Sequence, residues 1–168
     1  MSQELSAGVP VSHVGVSVPD IDAAISWYTD VLGFTLLAGP VLVDDDSPMA
    51  ETARDIYGPR WHSMRQAHLS TSNGVGLELF QFLRPAETPV DHQFEPWHPG
   101  LFHFCVFSRD IDKLVQRIVD NGGAQSTKIH RLARYSMVYC RDPWGNALEL
   151  NDCSYEQAHA EQSEQSHR

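Results

Sequence analysis

At 168 residues the chain is long enough for one domain, or for two half-domains that share a core, but too short for two independent domains. Its composition, 42% hydrophobic and 20% charged, is that of a globular protein, and no apolar run approaches the roughly 20 residues that a membrane span requires. The formal net charge of −10 excludes a broad basic surface, so nucleic acid is not an expected partner, although a few local arginines could hold a small anionic substrate.

A strand, a capped helix and a glycine stop form the first predicted unit. Residues 13–18 are a short β-branched run, and Asp20 can cap the helix that follows. The apolar residues of this helix recur at steps of three and four until Gly33 ends it. Further strands are expected near residues 35–43, 65–70 and 76–82, the first of them weakly patterned.

Two irregular segments interrupt this pattern. Residues 41–61 are an insertion in which the run from Asp44 to Pro48 breaks the strand and residues 51–57 could form a short helix. We expect this insertion to form a lid or rim. Residues 84–100 contain four prolines and are predicted to be a linker.

The same order of elements then recurs. Residues 12–34 align with residues 102–124 at a spacing of 90, with seven identities that include His13 with His103. The motif Gly-x-x-Leu-Glu-Leu recurs at a spacing of 71, which matches Glu78 with Glu149. The second copy predicts a strand at 102–107, a helix capped by Asp110, and strands near 125–130, 136–140 and 147–151. The sequence therefore predicts two βαβββ modules in an α+β fold.

Four side chains of metal-ligand type occupy equivalent places in the two modules: His13, Glu78, His103 and Glu149. Strand alternation puts most of them on faces shared with small or apolar neighbours. Because burying an ionised carboxylate without compensation costs at least several kcal/mol, two such glutamates indicate a cation between them. Two imidazoles and two carboxylates suit Zn, Ni, Co, Fe or Mn and leave two octahedral positions open. The alternative for each residue alone is a satisfied strand histidine or a solvent-facing glutamate.

Several stretches resemble the vicinal-oxygen-chelate superfamily of glyoxalase I, bleomycin resistance proteins and extradiol dioxygenases. They are SHVGVSVPDIDAAISWYTDVLGF, LELFQF, FHFCVF with its DID, and RDPWGNALEL. The resemblance implies paired modules that form a cupped, half-open barrel around one divalent metal, commonly in a homodimer. It implies a single domain at 11–152, with modules at 11–83 and 101–152 and flexible termini at 1–10 and 153–168.

The ligand set separates the activities of this superfamily. The resemblance implies that His13 and Glu78 lie in the first and last strands of module one. It implies that His103 and Glu149 lie in the first and last strands of module two. A fourth ligand favours a glyoxalase I or methylmalonyl-CoA epimerase type of lyase or isomerase over dioxygenases, which resemble a facial triad of three ligands. The metal would polarise two vicinal oxygens of a small substrate while Glu149, or alternatively Glu78, moves a proton through an enediolate. An Fe(II) extradiol dioxygenase and a non-catalytic small-ligand binder remain alternatives.

The remaining site candidates are less specific. Tyr135, Met137 and Tyr139 share one strand face and could line the substrate cavity or pack in the core. Arg65 could anchor a substrate carboxylate, as could Arg131 and Arg134. Trp144 is expected to pack in a turn.

Cysteine usage bears on location. The three cysteines are isolated and odd in number, which fits a reducing compartment, and the N-terminus has no secretory signal pattern. We therefore expect a cytoplasmic protein without a membrane role.

Overall fold

The computed structural model of the protein describes residues 8–86, 96–97 and 99–159. The chain divides into two compact units, Met1–Thr88 and Pro89–Arg168. None of the described helices combines the length and apolar character needed to cross a bilayer. Most of the predicted linker and parts of both predicted flexible termini lie outside the described residues.

The first unit is a four-stranded mixed sheet with two helices. Its elements are β1 (His13–Ser17), α1 (Ile21–Leu32), β2 (Thr35–Asp44), α2 (Ala50–Tyr57), β3 (Ser63–Ser70) and β4 (Gly76–Arg84). The strand order is β1-β4-β3-β2, with β1 parallel to β4 and the other pairs antiparallel. Apart from the inserted α2, this is the predicted βαβββ order.

The second unit repeats this arrangement. Its elements are β5 (Phe104–Phe107), α3 (Ile111–Asp120), β6 (Ala124–Gln125), β7 (His130–Arg131), β8 (Ser136–Arg141), β9 (Ala147–Asn151) and α4 (Tyr155–His159). The order is β5-β9-β8-β6, with β7 also on β8 and with β5 parallel to β9. The α+β class with two modules is confirmed.

The helix caps follow the predicted chemistry. The Asp20 side chain accepts hydrogen bonds from the backbone N–H groups of Asp22 and Ala23, and Gly33 closes α1 in the left-handed conformation at φ 74°. In the second unit Asp110 accepts a hydrogen bond from the Lys113 backbone N–H. These caps satisfy donors that helix ends otherwise leave unpaired.

Each sheet has one covered face and one open face. In the first unit, the buried residues of β3 and β4, such as Leu69, Leu77 and Leu79, pack on the side of α1. Of the residues that alternate with them, Glu78 and His68 are only partly buried, whereas Met64, nearer the insertion, is buried. The open face therefore carries the polar side chains of ligand type.

Two details differ from the predicted elements. His103 precedes β5 instead of lying within it, so its position is set by the chain entering the strand. The predicted strand at 125–130 is reduced to two short strands on either side of a loop. The short helix α4 falls in the segment after Cys153, for which the sequence allows either a flexible tail or a frayed helix.

Candidate metal centre

The open face of the first sheet brings two histidines to Glu78. Glu78 lies opposite Gly15 in the parallel β1–β4 pair and opposite His68 in the antiparallel β3–β4 pair. His13 Nε2 lies 3.4 Å from Glu78 Oε2, and His68 Nδ1 lies 3.2 Å from Glu78 Oε1. The carboxylate is therefore held between two imidazoles, one on each oxygen.

The second sheet builds a corresponding cluster around Glu149. Glu149 lies opposite Cys105 in the parallel pair and opposite Tyr139 in the antiparallel pair. His103 Nε2 lies 2.9 Å from Glu149 Oε2, and the Tyr139 hydroxyl donates a 3.1 Å hydrogen bond to the same oxygen. The strand pairing agrees with the two spacings found in the sequence. Gly15 and Cys105, which lie opposite the two glutamates, are 90 residues apart, and Glu78 and Glu149 are 71 residues apart.

Electrostatics in the second cluster keep two groups protonated. Burial and the negative charge of Glu149 raise the pKa of Tyr139 to about 12, and the same two causes raise the pKa of the Cys105 thiol to about 12. Tyr139 therefore remains a hydrogen-bond donor at neutral pH. Cys105 does not have the thiolate character of a nucleophilic cysteine.

The distances within each His–Glu pair fit two neighbouring ligands of one cation. With metal–ligand bonds of about 2.0–2.2 Å, neighbouring ligand atoms lie about 3 Å apart in an octahedron and about 3.4 Å apart in a tetrahedron. The observed separations are 3.4 Å for His13 with Glu78 and 2.9 Å for His103 with Glu149. The donor types and separations of both pairs are thus compatible with a divalent metal.

Two features of the described residues differ from those of a complete metal centre. Among the described residues, no group of three or more His, Cys, Asp or Glu side chains is placed to hold a metal ion. His103 Nδ1 is buried, and the described part of the chain offers it no hydrogen-bond partner, whereas a metal-binding histidine ordinarily donates its second N–H. The centre formed by all four predicted ligands therefore stays a prediction.

His68 is the neighbour of Glu78 that the sequence analysis missed. The spacing of 71 residues that matches Glu78 with Glu149 also matches His68 with Tyr139. Their residue types differ, so no identity drew attention to the position. The repeat therefore carries no signal for His68, and only the pairing of β3 with β4 brings it to Glu78.

Two of the three predicted arginine anchors, Arg65 and Arg131, lie in ion pairs with helix residues. Arg65 forms two hydrogen bonds, of 2.7 and 3.0 Å, with Asp22 of α1. It is three residues from His68 on the same strand, which places it on the opposite, helix-facing side of the sheet. Arg131 binds Asp112 of α3 at 2.8 and 2.9 Å.

The aromatic and methionine candidates of the second unit occupy the half-buried side of β8. Met137 and Tyr139 alternate with the buried Val138 and Cys140, and the Tyr139 hydroxyl contacts the predicted ligand Glu149. Tyr135 precedes the strand, and its ring lies 5.8 Å from the ring of His159.

Comparison with known proteins shows similarity over most of the chain. The profile of the Glyoxalase/Bleomycin resistance protein/Dioxygenase superfamily matches residues 11–150. A protein from Actinomyces sp named 2-epi-5-epi-valiolone epimerase is 27% identical over 152 residues, which are 87% of this chain and 80% of that protein.

Solved structures share the fold. A glyoxalase family protein from Bacillus cereus matches with a TM-score of 0.72 and 22% identity, covering 90% of this chain and 98% of that one. Lactoylglutathione lyase from Agrobacterium tumefaciens matches with a TM-score of 0.51 and 20% identity, covering 87% of this chain and 95% of that one. The glyoxalase-type fold expected from the sequence is confirmed.

Proposed function

We infer the function of this chain from its family, since it belongs to the glyoxalase/bleomycin resistance protein/dioxygenase superfamily. On this basis we propose that it is a metal-dependent isomerase or lyase of the glyoxalase I type. His13, Glu78, His103 and Glu149 would hold one divalent ion, of Zn, Ni, Co, Fe or Mn. The observation that carries the proposal is the repeated His–Glu pair, which stands at equivalent positions in both modules with separations of 3.4 and 2.9 Å.

The bound ion would supply Lewis acidity toward two neighbouring oxygens of a small substrate. Glu149 is the proposed base, because a carboxylate beside the chelated carbon can remove its proton and return it. Tyr139 remains protonated and donates to one oxygen of Glu149, so it orients this carboxylate. In the first sheet, His68 Nδ1 lies 3.2 Å from Glu78 Oε1 and orients that carboxylate.

The names of two similar proteins agree with this reaction class. One is an epimerase and the other is a lyase. An epimerase inverts one carbon centre, which removal and return of a proton beside a carbonyl group accomplishes. The proposal transfers this proton movement to the present chain and leaves the identity of its substrate to experiment.

Solvent deuterium exchange under argon tests the proposal. Metal-loaded protein is incubated in D₂O with hemithioacetals, 2-methyl-3-oxoacyl thioesters and catechols, and the substrates are analysed by NMR. We expect deuterium beside the chelated carbonyl of one of the first two classes, and a loss of at least about a hundredfold in Glu149→Gln. Glu78→Gln should be milder, because an amide oxygen can still coordinate.

Two results would contradict the proposal. Ring cleavage of a catechol that requires oxygen and iron would establish a dioxygenase instead. Tight binding of a small ligand without proton exchange in any substrate class would establish a binding protein.

A further inference from the structure

The inserted segment of the first unit builds an aromatic wall beside the candidate centre. Tyr57, the last residue of α2, lies edge-on to Phe80 and Phe82 of β4, with ring centroids 6.2 and 5.4 Å away. Trp61 follows with its ring 6.4 Å from that of Tyr57. The insertion therefore packs its aromatic residues on the open face of the sheet.

This wall begins next to Glu78. Phe80 and Phe82 follow Glu78 by two and four residues, so they share its strand face at distances of about 7 and 13 Å along the strand. The Tyr57 ring contacts both phenylalanine rings, so the wall continues from the strand face of Glu78 to the end of α2. A molecule that contacts Glu78 can thus extend along the wall.

A cavity of about 170 Å³ lies at the far end of the wall. It is lined by Tyr57, Arg60, Trp61, Phe82 and Pro85, and these five residues are called the aromatic pocket below. Its volume suits a six-membered ring with a short substituent. Trp61 is buried in a hydrophobic cluster with Ala53 and Met64, against which Phe82 packs, so this side of the cavity is apolar.

Arg60 gives the aromatic pocket a positive charge. The neighbouring Arg54 is bound to Asp45 at 2.7 Å, and His62 lies 3.0 Å from the same carboxylate. For Arg60, in contrast, the described residues supply neither a carboxylate nor another hydrogen-bond acceptor. A guanidinium to which no described residue offers a partner, at the edge of an apolar cavity, is suited to an anionic group of a ligand.

We propose that the aromatic pocket is the specificity pocket of the enzyme and receives a small organic acid with a ring-sized apolar body. The ring packs against Tyr57 and Phe82, and the acid group binds Arg60. The opposite end of the molecule carries the two neighbouring oxygens and extends toward Glu78. Only this last part rests on the proposed function.

Binding of simple probes to the metal-free full chain tests the pocket by itself. Phenylacetate has both the ring and the charge, phenylacetamide has the ring without the charge, and acetate has the charge without the ring. In ligand-observed NMR titrations, we expect phenylacetate to bind at least about tenfold more tightly than either of the others. Equal affinity for phenylacetate and phenylacetamide would overturn the proposal.

Variants assign the binding to these residues. Arg60→Gln should weaken phenylacetate about tenfold and leave phenylacetamide unchanged. Tyr57→Ala should weaken both aromatic probes about fivefold, and Tyr57→Phe should retain them because the ring remains. Arg109→Gln, which removes an exposed arginine of the second unit, is the matched control and should bind like wild type. Unchanged phenylacetate affinity in Arg60→Gln would contradict the assignment.

The two proposals fail separately. Selective phenylacetate binding without any metal-dependent proton exchange would leave the pocket in place and refute the enzymatic proposal. Proton exchange by a protein that binds the three probes with equal affinity would support the enzymatic proposal and refute the pocket.

Discussion

Glu78 and Glu149 occupy equivalent positions but have different neighbours. Glu149 is the more enclosed, with 14% of its side chain exposed against 26% for Glu78. A tyrosine hydroxyl contacts Glu149 where an imidazole contacts Glu78. Because Glu149 is less exposed and is oriented by the Tyr139 hydroxyl, which stays protonated, it is the better candidate for the base.

His68 provides the first test at the scale of single residues. We expect His68→Leu to weaken metal binding about tenfold to a hundredfold without abolishing it, because a ligating carboxylate loses its orienting hydrogen bond. His68→Gln should recover much of the affinity, since its amide N–H can still donate to Glu78. Metal titration monitored by competition with a chelating dye measures both values.

His62→Leu is the matched control for this prediction, because His62 contacts Asp45 on the insertion and not Glu78. Its metal affinity should equal that of wild type. If His68→Leu binds metal like this control, then His68 does not position Glu78.

At the scale of elements, ion pairs fasten each first helix to its sheet. Asp22 in the first turn of α1 binds Arg65 of β3, and Asp112 at the same place in α3 binds Arg131. The two aspartates are 90 residues apart and belong to the internal repeat. The arginines that resembled substrate anchors in the sequence thus connect a helix to a strand in each unit.

The Asp22–Arg65 pair predicts a pH dependence of stability. The hydrogen bond from Arg65 lowers the pKa of Asp22 below its ordinary value of 3.8. A lowered pKa in the folded state means that the stabilisation is fully present above the unfolded pKa and is lost as the pH falls through the folded value. Asp22→Asn should therefore lower the Tm modestly at pH 7, and its difference from wild type should shrink below about pH 4.

Thermal unfolding between pH 2.5 and 7 measures this effect. Arg65→Gln should show the same pattern, which separates the ion pair from any interaction of Asp22 with the helix dipole. Asp30→Asn, an exposed position in the last turn of the same helix, is the control and should not lower the Tm at pH 7. Equal effects of Asp22→Asn and Asp30→Asn would contradict the prediction.

Helices were easier to predict than some of the strands, for a physical reason. Both long helices bury one face and carry an aspartate cap, so periodicity and capping agree. β2 is an edge strand, mostly exposed and with register shifts against β3, so it has no alternating pattern to detect. Gly39 within it approaches the Gln66 carbonyl so closely that a Cβ there would lie 2.6 Å from the oxygen, a constraint that only the paired strand reveals.

At the scale of the whole molecule, the internal repeat determines how much of the site was predictable. It identified one histidine and one glutamate per module, and the structure pairs them within each unit. It did not identify His68, whose counterpart is a tyrosine, or the aromatic pocket, which comes from an insertion that the second module lacks. A feature that both modules share can be found by comparing the two halves of the sequence. A feature of one module alone is found only in the structure.

The four-ligand centre and the homodimer implied by the resemblance remain predictions. Each unit contributes one His–Glu pair, so joining the pairs on one ion is the central claim of the proposed function. Metal content tests this claim more directly than activity does, because it does not depend on knowing the substrate.

Elemental analysis of freshly purified protein is therefore the decisive measurement. We predict about one divalent ion per chain in the wild type and a large loss in both His13→Ala and Glu149→Ala, because each removes a ligand from a different module. The control variant His62→Leu, which replaces an exposed histidine, should retain the ion. The absence of stoichiometric metal in the wild type, with no uptake after addition of Zn, Ni, Co or Mn, would contradict the claim.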